Sequence, residues 1–158
     1  RGDDGFLAKL NQLLGATTFR LPTEAEWELA ARGGTQTRFS FGDSLDGDDT
    51  CLANTGASPF VWWCGTAGSS TQPVGTKAAN PFGLFDVHGN VWEMVEDWFG
   101  TYLSSAETDP TGPSTGSYRV IRGGAWASYL ADTRSASRFV DSPAVATGLV
   151  GFRLARSR

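Results

Sequence analysis

Few side chains in this sequence could support catalysis. His88 is the single histidine, so a Ser-His-Asp triad or a His-rich metal site has only one candidate base or ligand. It lies in the stretch DVHGN, which is typical of a turn. In a second interpretation, His88 has no chemical role and only forms hydrogen bonds within that turn. The sequence contains no Walker, CxxC or HExxH motif. It therefore offers no complete catalytic constellation of these kinds.

The two cysteines, Cys51 and Cys64, are a second candidate for chemistry. They form either one disulfide that closes a short loop or two buried thiols. Both alternatives stay open at the level of the sequence.

Oxygen-rich turns suggest a calcium site. Calcium takes six to eight oxygen ligands from carboxylates, amides and backbone carbonyls. The stretch HGNVWE supplies Asn90 and Glu93, and the stretch LANTG supplies Asn54. In the alternative interpretation, Asn90 and Glu93 only satisfy buried backbone amides.

Length and composition indicate the kind of fold that must position these residues. A chain of 158 residues predicts one domain over residues 1–158, and its 6 Trp and 10 Phe predict an aromatic core. The net charge of −4, with no cluster of basic residues, argues against a nucleic-acid or membrane-surface partner. The sequence shows no transmembrane run and no signal peptide, so the cellular compartment stays unknown. We expect the domain to be a monomer. Because the chain begins at Arg1 without an initiator Met, we expect it to be the C-terminal part of a longer protein.

Two helices are predicted near the N-terminus. The first is expected to be capped by Asp3 or Asp4 and to end at Gly15, with one apolar face made of Phe6, Leu7, Leu10 and Leu14. In the second, Thr23 and Glu26 form a capping box and Gly33 ends the helix. Its inward stripe is predicted to be Trp27, Ala30 and Ala31.

Short antiparallel strands are predicted in the stretches GLFDVHGNVWEMVEDWFG, YRVIRGGAW and VGFRLA. Between residues 35 and 82 we expect loops and short strands held to the core by aromatic side chains. Two early helices and scattered later strands indicate an α+β fold. In the first stretch, the predicted core residues are Leu84, Phe85, Val87, Val91, Trp92, Val95 and Trp98.

Four phrases of the chain resemble the formylglycine-generating enzyme (sulfatase-modifying factor) family. They are FRLPTEAEWELAARGG, NPFGLFDVHGNVWEMVEDWFG, RVIRGGAW and GFRLA, and the match runs from about Gly5 to Ala155. The resemblance implies a C-type-lectin-like fold with little regular secondary structure. It also implies structural calcium at Asn90, Val91 and Glu93. A second calcium site, at Asn54 and Thr55, is implied more weakly because a downstream Asp expected there is missing.

The resemblance also bears on catalysis. The family's enzymes use two cysteines between the RGG and GFR phrases, where thiolates hold copper and attack a substrate cysteine. With Arg138 and the GFR phrase as anchors, those positions fall on Leu130 and Ser135. Leucine is neither a nucleophile nor a metal ligand, and serine is a poor ligand for copper(I). We therefore expect neither bound copper nor formylglycine formation.

A non-catalytic branch with the same fold, the variable proteins of diversity-generating retroelements, resembles the chain more closely. Their C-termini typically read RVIRGGSW, then variable positions around RSA.R, then GFRLA. This chain has RVIRGGAW, RSASR and GFRLARS. Template asparagine codons mutated at their adenines cannot encode Lys, Glu, Gln, Met or Trp. None of these occurs in residues 127–149, whereas they make up 18 of the other 135 residues.

The sequence therefore predicts a binding module whose variable segment, residues 127–149, contacts a ligand that we expect to be a protein surface. Arg134, Ser135, Ala136 and Arg138 are expected to be fixed framework positions. The alternatives are a divergent formylglycine-generating-type oxidoreductase, an accessory domain of a sulfoxide synthase or, for any single position, a packed loop residue. The predicted ligand-binding positions are Ala127, Ser128, Tyr129, Ala131, Asp132, Ser137, Phe139, Val140, Asp141, Val145, Thr147, Gly148 and Leu149.

Overall fold

Two helices and one short strand begin the fold. The computed structural model describes residues 5–15, 18–43, 50–52 and 55–157. Helix α1 spans Phe6–Leu13, strand β1 Phe19–Arg20 and helix α2 Glu24–Arg32. No helix in the described ranges is long and apolar enough to cross a membrane.

Helix α1 forms where predicted, but it buries less than predicted. Its N-cap is Gly5, which offers no side-chain cap, and the predicted caps Asp3 and Asp4 lie outside the described residues. Leu7 and Leu10 are half-buried, whereas Phe6 and Leu14 are exposed. The predicted apolar face is therefore wrong at those two positions. The reason is that α1 packs mainly against the two-residue strand β1, and Phe6 contacts the ring of Phe152, which is itself exposed.

Helix α2 confirms the local sequence signals. Thr23 Oγ1 accepts a hydrogen bond from the amide of Glu26 at 3.2 Å, and the Glu26 carboxylate accepts one from the amide of Thr23 at 2.8 Å. Gly33 ends the helix with φ +60°, a left-handed conformation that favours glycine. Trp27 and Ala31 are buried as predicted.

The later strands form one mixed sheet and a separate pair. They are β2 (Trp92–Trp98), β3 (Arg119–Arg122), β4 (Arg138–Asp141), β5 (Val150–Gly151) and β6 (Ala155–Arg156). The larger sheet has the order β4-β3-β2-β5, and β6 pairs with β1. The pairs are antiparallel except β2 with β5, which is parallel. The expectation of antiparallel strands is corrected at that pair.

Strand β2 turns acidic residues inward. Glu93, Val95 and Asp97 are buried, while Trp92 and Trp98 are half-buried on the opposite face. The prediction that both tryptophans belong to the core was wrong, because a strand's period of two places 93, 95 and 97 together. The carboxylates tolerate burial because Glu93 accepts a hydrogen bond from Trp27 Nε1 and Asp97 accepts one from the amide of Glu24. The predicted core is confirmed at Val87 and Val95 and is wrong at Phe85, which is exposed.

Two apolar clusters and a disulfide hold the elements together. The first cluster comprises Trp27, Ala31, Val87, Val95 and Val120, and the second comprises Phe39, Ala57, Val61, Trp63 and Leu130. Cys64 packs against the second cluster and is joined to Cys51. Of the two alternatives for the cysteines, the structure therefore contains the disulfide.

Candidate ligand-binding surface

Much of the predicted variable segment is exposed. It runs from residue 127 through a 3₁₀ turn (Leu130–Thr133) and strand β4 to a loop that leads into β5. Tyr129 and Phe139 are 57% and 63% exposed. The other exposed predicted positions are Ala127, Val145, Thr147, Gly148 and Leu149. The half-buried ones are Ser128, Ala131, Asp132, Ser137, Val140 and Asp141.

Two tryptophans outside the segment join part of it into one surface. Trp92 stacks on Phe139 with ring centroids 5.9 Å apart, and its amide donates to the carbonyl of Leu149 at 2.8 Å. Trp126 Nε1 donates to the carbonyl of Gly148 at 3.2 Å. We call Trp92, Trp126, Phe139 and Leu149 the aromatic face. Sequence reasoning missed both tryptophans as site residues, although the inward alternation of Glu93, Val95 and Asp97 would have placed Trp92 outside.

The buried guanidinium of Arg122 lies beneath the segment. The residue is 0% exposed, and its two terminal nitrogens donate to the carbonyls of Ser135 (2.9 Å), Ala136 (3.1 Å) and Ser137 (2.6 Å). Arg122 also forms an ion pair with Glu28. It therefore fixes the path of three consecutive residues just before β4.

The predicted framework residues make similar contacts. Arg138 binds the Glu24 carboxylate through Nε at 2.8 Å and Nη2 at 2.7 Å. Arg134 Nε donates to the carbonyl of Ala131 at 2.7 Å, and the amide of Ser135 donates to the carbonyl of Arg38 at 2.9 Å. These contacts connect the segment to α2 and to the loop that contains Arg38.

The positions matched to catalytic cysteines are buried in the fold. Leu130 is part of the second core cluster, and Ser135 is fully buried with no hydrogen bond to its hydroxyl among the described residues. The only two cysteines, Cys51 and Cys64, are joined to each other. The amide of Cys64 donates to the carbonyl of Ser128 at 3.1 Å, so the disulfide loop supports the beginning of the segment.

His88 contacts the segment from below. The amide of Ser40 donates to Nε2 at 3.1 Å, so Nε2 is the unprotonated nitrogen and Nδ1–H donates to the carbonyl of Thr133 at 2.7 Å. Burial lowers the pKa of His88 to about 4, with the bond to Thr133 opposing that shift. This geometry matches the interpretation of a hydrogen-bonded histidine, because the ring is buried and both nitrogens have protein partners.

The neutral His88 predicts acid sensitivity. The unfolded chain binds a proton at this histidine below pH 6.5, whereas the folded chain does so only near pH 4. The free energy of unfolding should therefore fall as the pH drops through this window, by about 3 kcal/mol at pH 4 from this residue alone. Denaturant titrations of wild type and His88→Asn between pH 7 and pH 4 would measure it. Equal pH dependence in the two proteins would contradict the assignment.

Two of the three residues expected to bind calcium, Asn90 and Glu93, have side-chain oxygens that already contact protein partners. Asn90 Oδ1 accepts from the amide of Gln72 at 3.0 Å. Glu93 accepts from Trp27 Nε1 at 2.6 Å and forms an ion pair with Arg153. The described residues contain no group of three or more His, Cys, Asp or Glu side chains placed to hold a metal.

One carboxylate oxygen at this turn has no partner. Asp86 Oδ1 is buried without a hydrogen bond in the described structure, while Oδ2 accepts from the amide of Gly75 at 2.7 Å. Asp86 therefore carries a buried oxygen that sequence reasoning did not single out, and its charge interacts with the nearby Arg153 guanidinium. For the second predicted site, Thr55 is exposed and Asn54 lies outside the described residues.

Comparison with known proteins identifies the family. The model of the sulfatase-modifying factor enzyme 1-like domain matches residues 5–158. The chain belongs to this family. Its sulfatase-modifying factor domain is 43% identical over 144 residues to the formylglycine-generating enzyme of Streptomyces coelicolor, covering 86% of this chain and 46% of that protein. It is also 43% identical over 142 residues to the serine/threonine-protein kinase pkn1 of Chlamydia caviae, covering 87% of this chain and 21% of that protein.

Solved structures of related proteins share the fold of this sulfatase-modifying factor domain. Variable protein 1 of Treponema denticola is 38% identical with a TM-score of 0.77, over 87% of this chain and 47% of that one. PvdO from Pseudomonas aeruginosa is 28% identical with a TM-score of 0.80, over 96% of this chain and 57% of that one. The expected α+β fold of the C-type-lectin-like, formylglycine-generating-enzyme type is thereby confirmed. The chain spans about half the length of these two solved proteins and of the Streptomyces coelicolor enzyme. It spans 21% of the length of pkn1.

Proposed function

We propose that this domain is a non-catalytic ligand-binding module that displays residues 127–149 on a stable C-type-lectin-like scaffold. The observation that carries the proposal is that some side chains of the segment are exposed while its backbone is held by buried contacts. Tyr129 and Phe139 are exposed, while Arg122 and Arg138 hold the intervening backbone from within the fold. Side chains can then vary without disturbing the structure that presents them.

The proposed partner is a protein surface. Rigid aromatic side chains such as Trp92, Trp126 and Phe139 provide large contact area at a low cost in conformational entropy. Asp132 and Asp141, two half-buried positions of the same segment, add directional hydrogen-bond acceptors. The net charge of −4 does not favour nucleic acid.

The similarity to variable protein 1 of Treponema denticola supports diversification by a retroelement. The test is inspection of the encoding locus. We expect a near-identical non-coding copy of the 3′ end that differs only at adenines, with a reverse transcriptase gene nearby. If both are absent, diversification by a retroelement is refuted.

A divergent formylglycine-generating-type oxidoreductase is the second candidate, because relatives of that name share 43% identity with the chain. Against it, the chain has two cysteines, and both are in the disulfide. Tight copper(I) binding, or oxidation of a cysteine-containing peptide by the purified protein, would favour this candidate over the binding module.

Substitutions on the exposed surface should have little effect on stability. Tyr129→Ala should change the free energy of unfolding by less than about 0.5 kcal/mol. Phe139→Ala should lower it by less than about 1 kcal/mol, since it loses only a surface aromatic stack. Trp27→Ala, which empties a core position, is the contrast and should cost about 3–5 kcal/mol. Denaturant unfolding measures all three, and a core-sized loss at Tyr129 or Phe139 would make these residues structural.

Structural calcium stays part of the proposal. Removal of calcium by a chelator should lower the melting temperature of the wild type. An unchanged melting temperature would argue against a calcium site.

A further inference from the structure

A groove separate from the aromatic face lies between α2 and the loop of residues 100–113. Its cavity volume is about 870 Å³, within the range of roughly 300–1,000 Å³ that ligand sites occupy. Arg138 lines it, whereas the next residue, Phe139, stacks on the aromatic face. Because successive strand residues point to opposite faces, the side chains of Arg138 and Phe139 leave the sheet on opposite sides.

The basic groups that line the groove are already neutralised. Arg138 holds Glu24 with two hydrogen bonds and donates a third to the carbonyl of Gly100. Arg32 is paired with Glu28 at 2.7 Å. These two arginines therefore leave no positive charge for an anionic ligand.

Asp97 is different, because it is a buried carboxylate without a cationic partner. It is 4% exposed, and its hydrogen bond from another described residue runs from the amide of Glu24 to Oδ2 at 2.7 Å. The other oxygen, Oδ1, points toward the loop, since a Cβ built on Gly112 would lie 3.2 Å from it. Burial, opposed by the Glu24 amide and reinforced by the charges of Glu24 and Glu96, raises the pKa of Asp97. A cation beside Oδ1 would offset the cost of burying this charge.

The rest of the groove wall matches a cation that carries an apolar stem. Glu107 and Asp109 line it and are exposed, and no described residue is ion-paired with either. Leu29, Tyr102 and Leu103 line it as exposed apolar side chains. Negative charge above an apolar wall favours an amphiphilic cation.

We propose that this groove binds an alkylammonium or guanidinium group on an apolar stem, with Asp97 as its ion-pair partner. The group comes from a free amine or from a Lys or Arg side chain of a peptide, and the two sources share the same recognition chemistry.

Titration with four probes tests the proposal. n-Butylammonium chloride is compared with n-butanol, and acetyl-Leu-Lys-Leu-amide with acetyl-Leu-norleucine-Leu-amide, by NMR or calorimetry on the whole chain. We expect at least one cationic probe to bind with shifts confined to the groove and the neutral probes to bind at least about tenfold more weakly. Binding of the peptide alone identifies a side chain as the source, and binding of butylammonium with equal or higher affinity identifies a free amine.

Matched variants assign the site. Asp97→Asn keeps an oxygen that can accept from the amide of Glu24 but removes the charge, so it should weaken cation binding about tenfold. Asp43→Asn, an exposed acidic position outside the groove, should leave binding unchanged. If Asp97→Asn does not fold, the exposed double variant Glu107→Gln/Asp109→Asn should weaken binding about threefold at low salt. No cation binding up to 20 mM, or wild-type affinity in both groove variants, would overturn the proposal.

Discussion

Replacing Arg122 with Met is expected to lower the free energy of unfolding by about 3–5 kcal/mol, the loss that follows when one partner of a buried charged network is removed. The methionine fills similar volume, so the effect comes from the lost hydrogen bonds and from the broken ion pair with Glu28. The carbonyls of Ser135, Ala136 and Ser137 each lose a donor. Urea unfolding measures the loss, and hydrogen exchange should show earlier opening in residues 135–141 than in α2.

Arg20→Met is the matched control. Arg20 forms an ion pair with Glu26 at 2.6 Å, but both side chains are substantially exposed. Removal of this pair should cost less than about 1 kcal/mol. If Arg122→Met cost no more than Arg20→Met, the segment would be held by something other than the buried guanidinium.

Removal of the disulfide has the second large expected effect. The bond joins residues 13 apart, and the chain-entropy estimate for a loop of this size is about 3 kcal/mol. The double variant Cys51→Ser/Cys64→Ser should lose this amount in urea unfolding. Wild type treated with dithiothreitol should lose a similar amount of stability. Because reduction breaks the same bond without changing any residue, it controls for effects of the serine side chains.

The loss should also reach the ligand-binding surface. Cys64 donates its amide to the carbonyl of Ser128, and it packs beside the cluster that contains Leu130. Faster amide exchange in residues 126–133 is therefore expected in the serine variant. If stability and amide exchange were unchanged, the second apolar cluster alone would hold residues 126–133 in place.

Local signals in the sequence predicted local structure well. The capping box of Thr23 and Glu26 and the glycine stop at Gly33 act within a few residues, so helix α2 was predictable with its boundaries. The buried face of Trp27 and Ala31 followed from helical periodicity. Helix α1 shows the limit, because periodicity predicts which face is apolar and not how much partner surface the fold provides.

Charged residues in the interior were not predictable from the sequence. Glu93 and Asp97 occupy the inner face of β2, where alternation with tryptophans suggested the reverse. Glu93 depends on Arg153, 60 residues away in the chain. Such ion pairs form only when the tertiary fold brings both groups together, so no local sequence pattern predicts them.

For the candidate site, the sequence predicted large exposed side chains in one segment, and ligand binding by them stays a prediction. The absence of five residue types in residues 127–149 drew attention to a segment whose large side chains, Tyr129 and Phe139, are indeed exposed. The contributions of Trp92 and Trp126 were not foreseen, because they lie outside the segment and reach it through the sheet and the loop before β5.

Most of the hydrogen bonds that the surrounding fold donates to the segment share one property, and the amide of Ala125, which donates to Ser128 Oγ, is an exception. His88, Arg122, Trp126 and the amides of Cys64 and Trp92 donate to main-chain carbonyls of the segment. Every amino acid carries that oxygen, so these contacts hold for almost any side chain placed there. A library randomised at the exposed positions should therefore keep a single backbone conformation. Its members would then differ in what they bind and not in whether they fold.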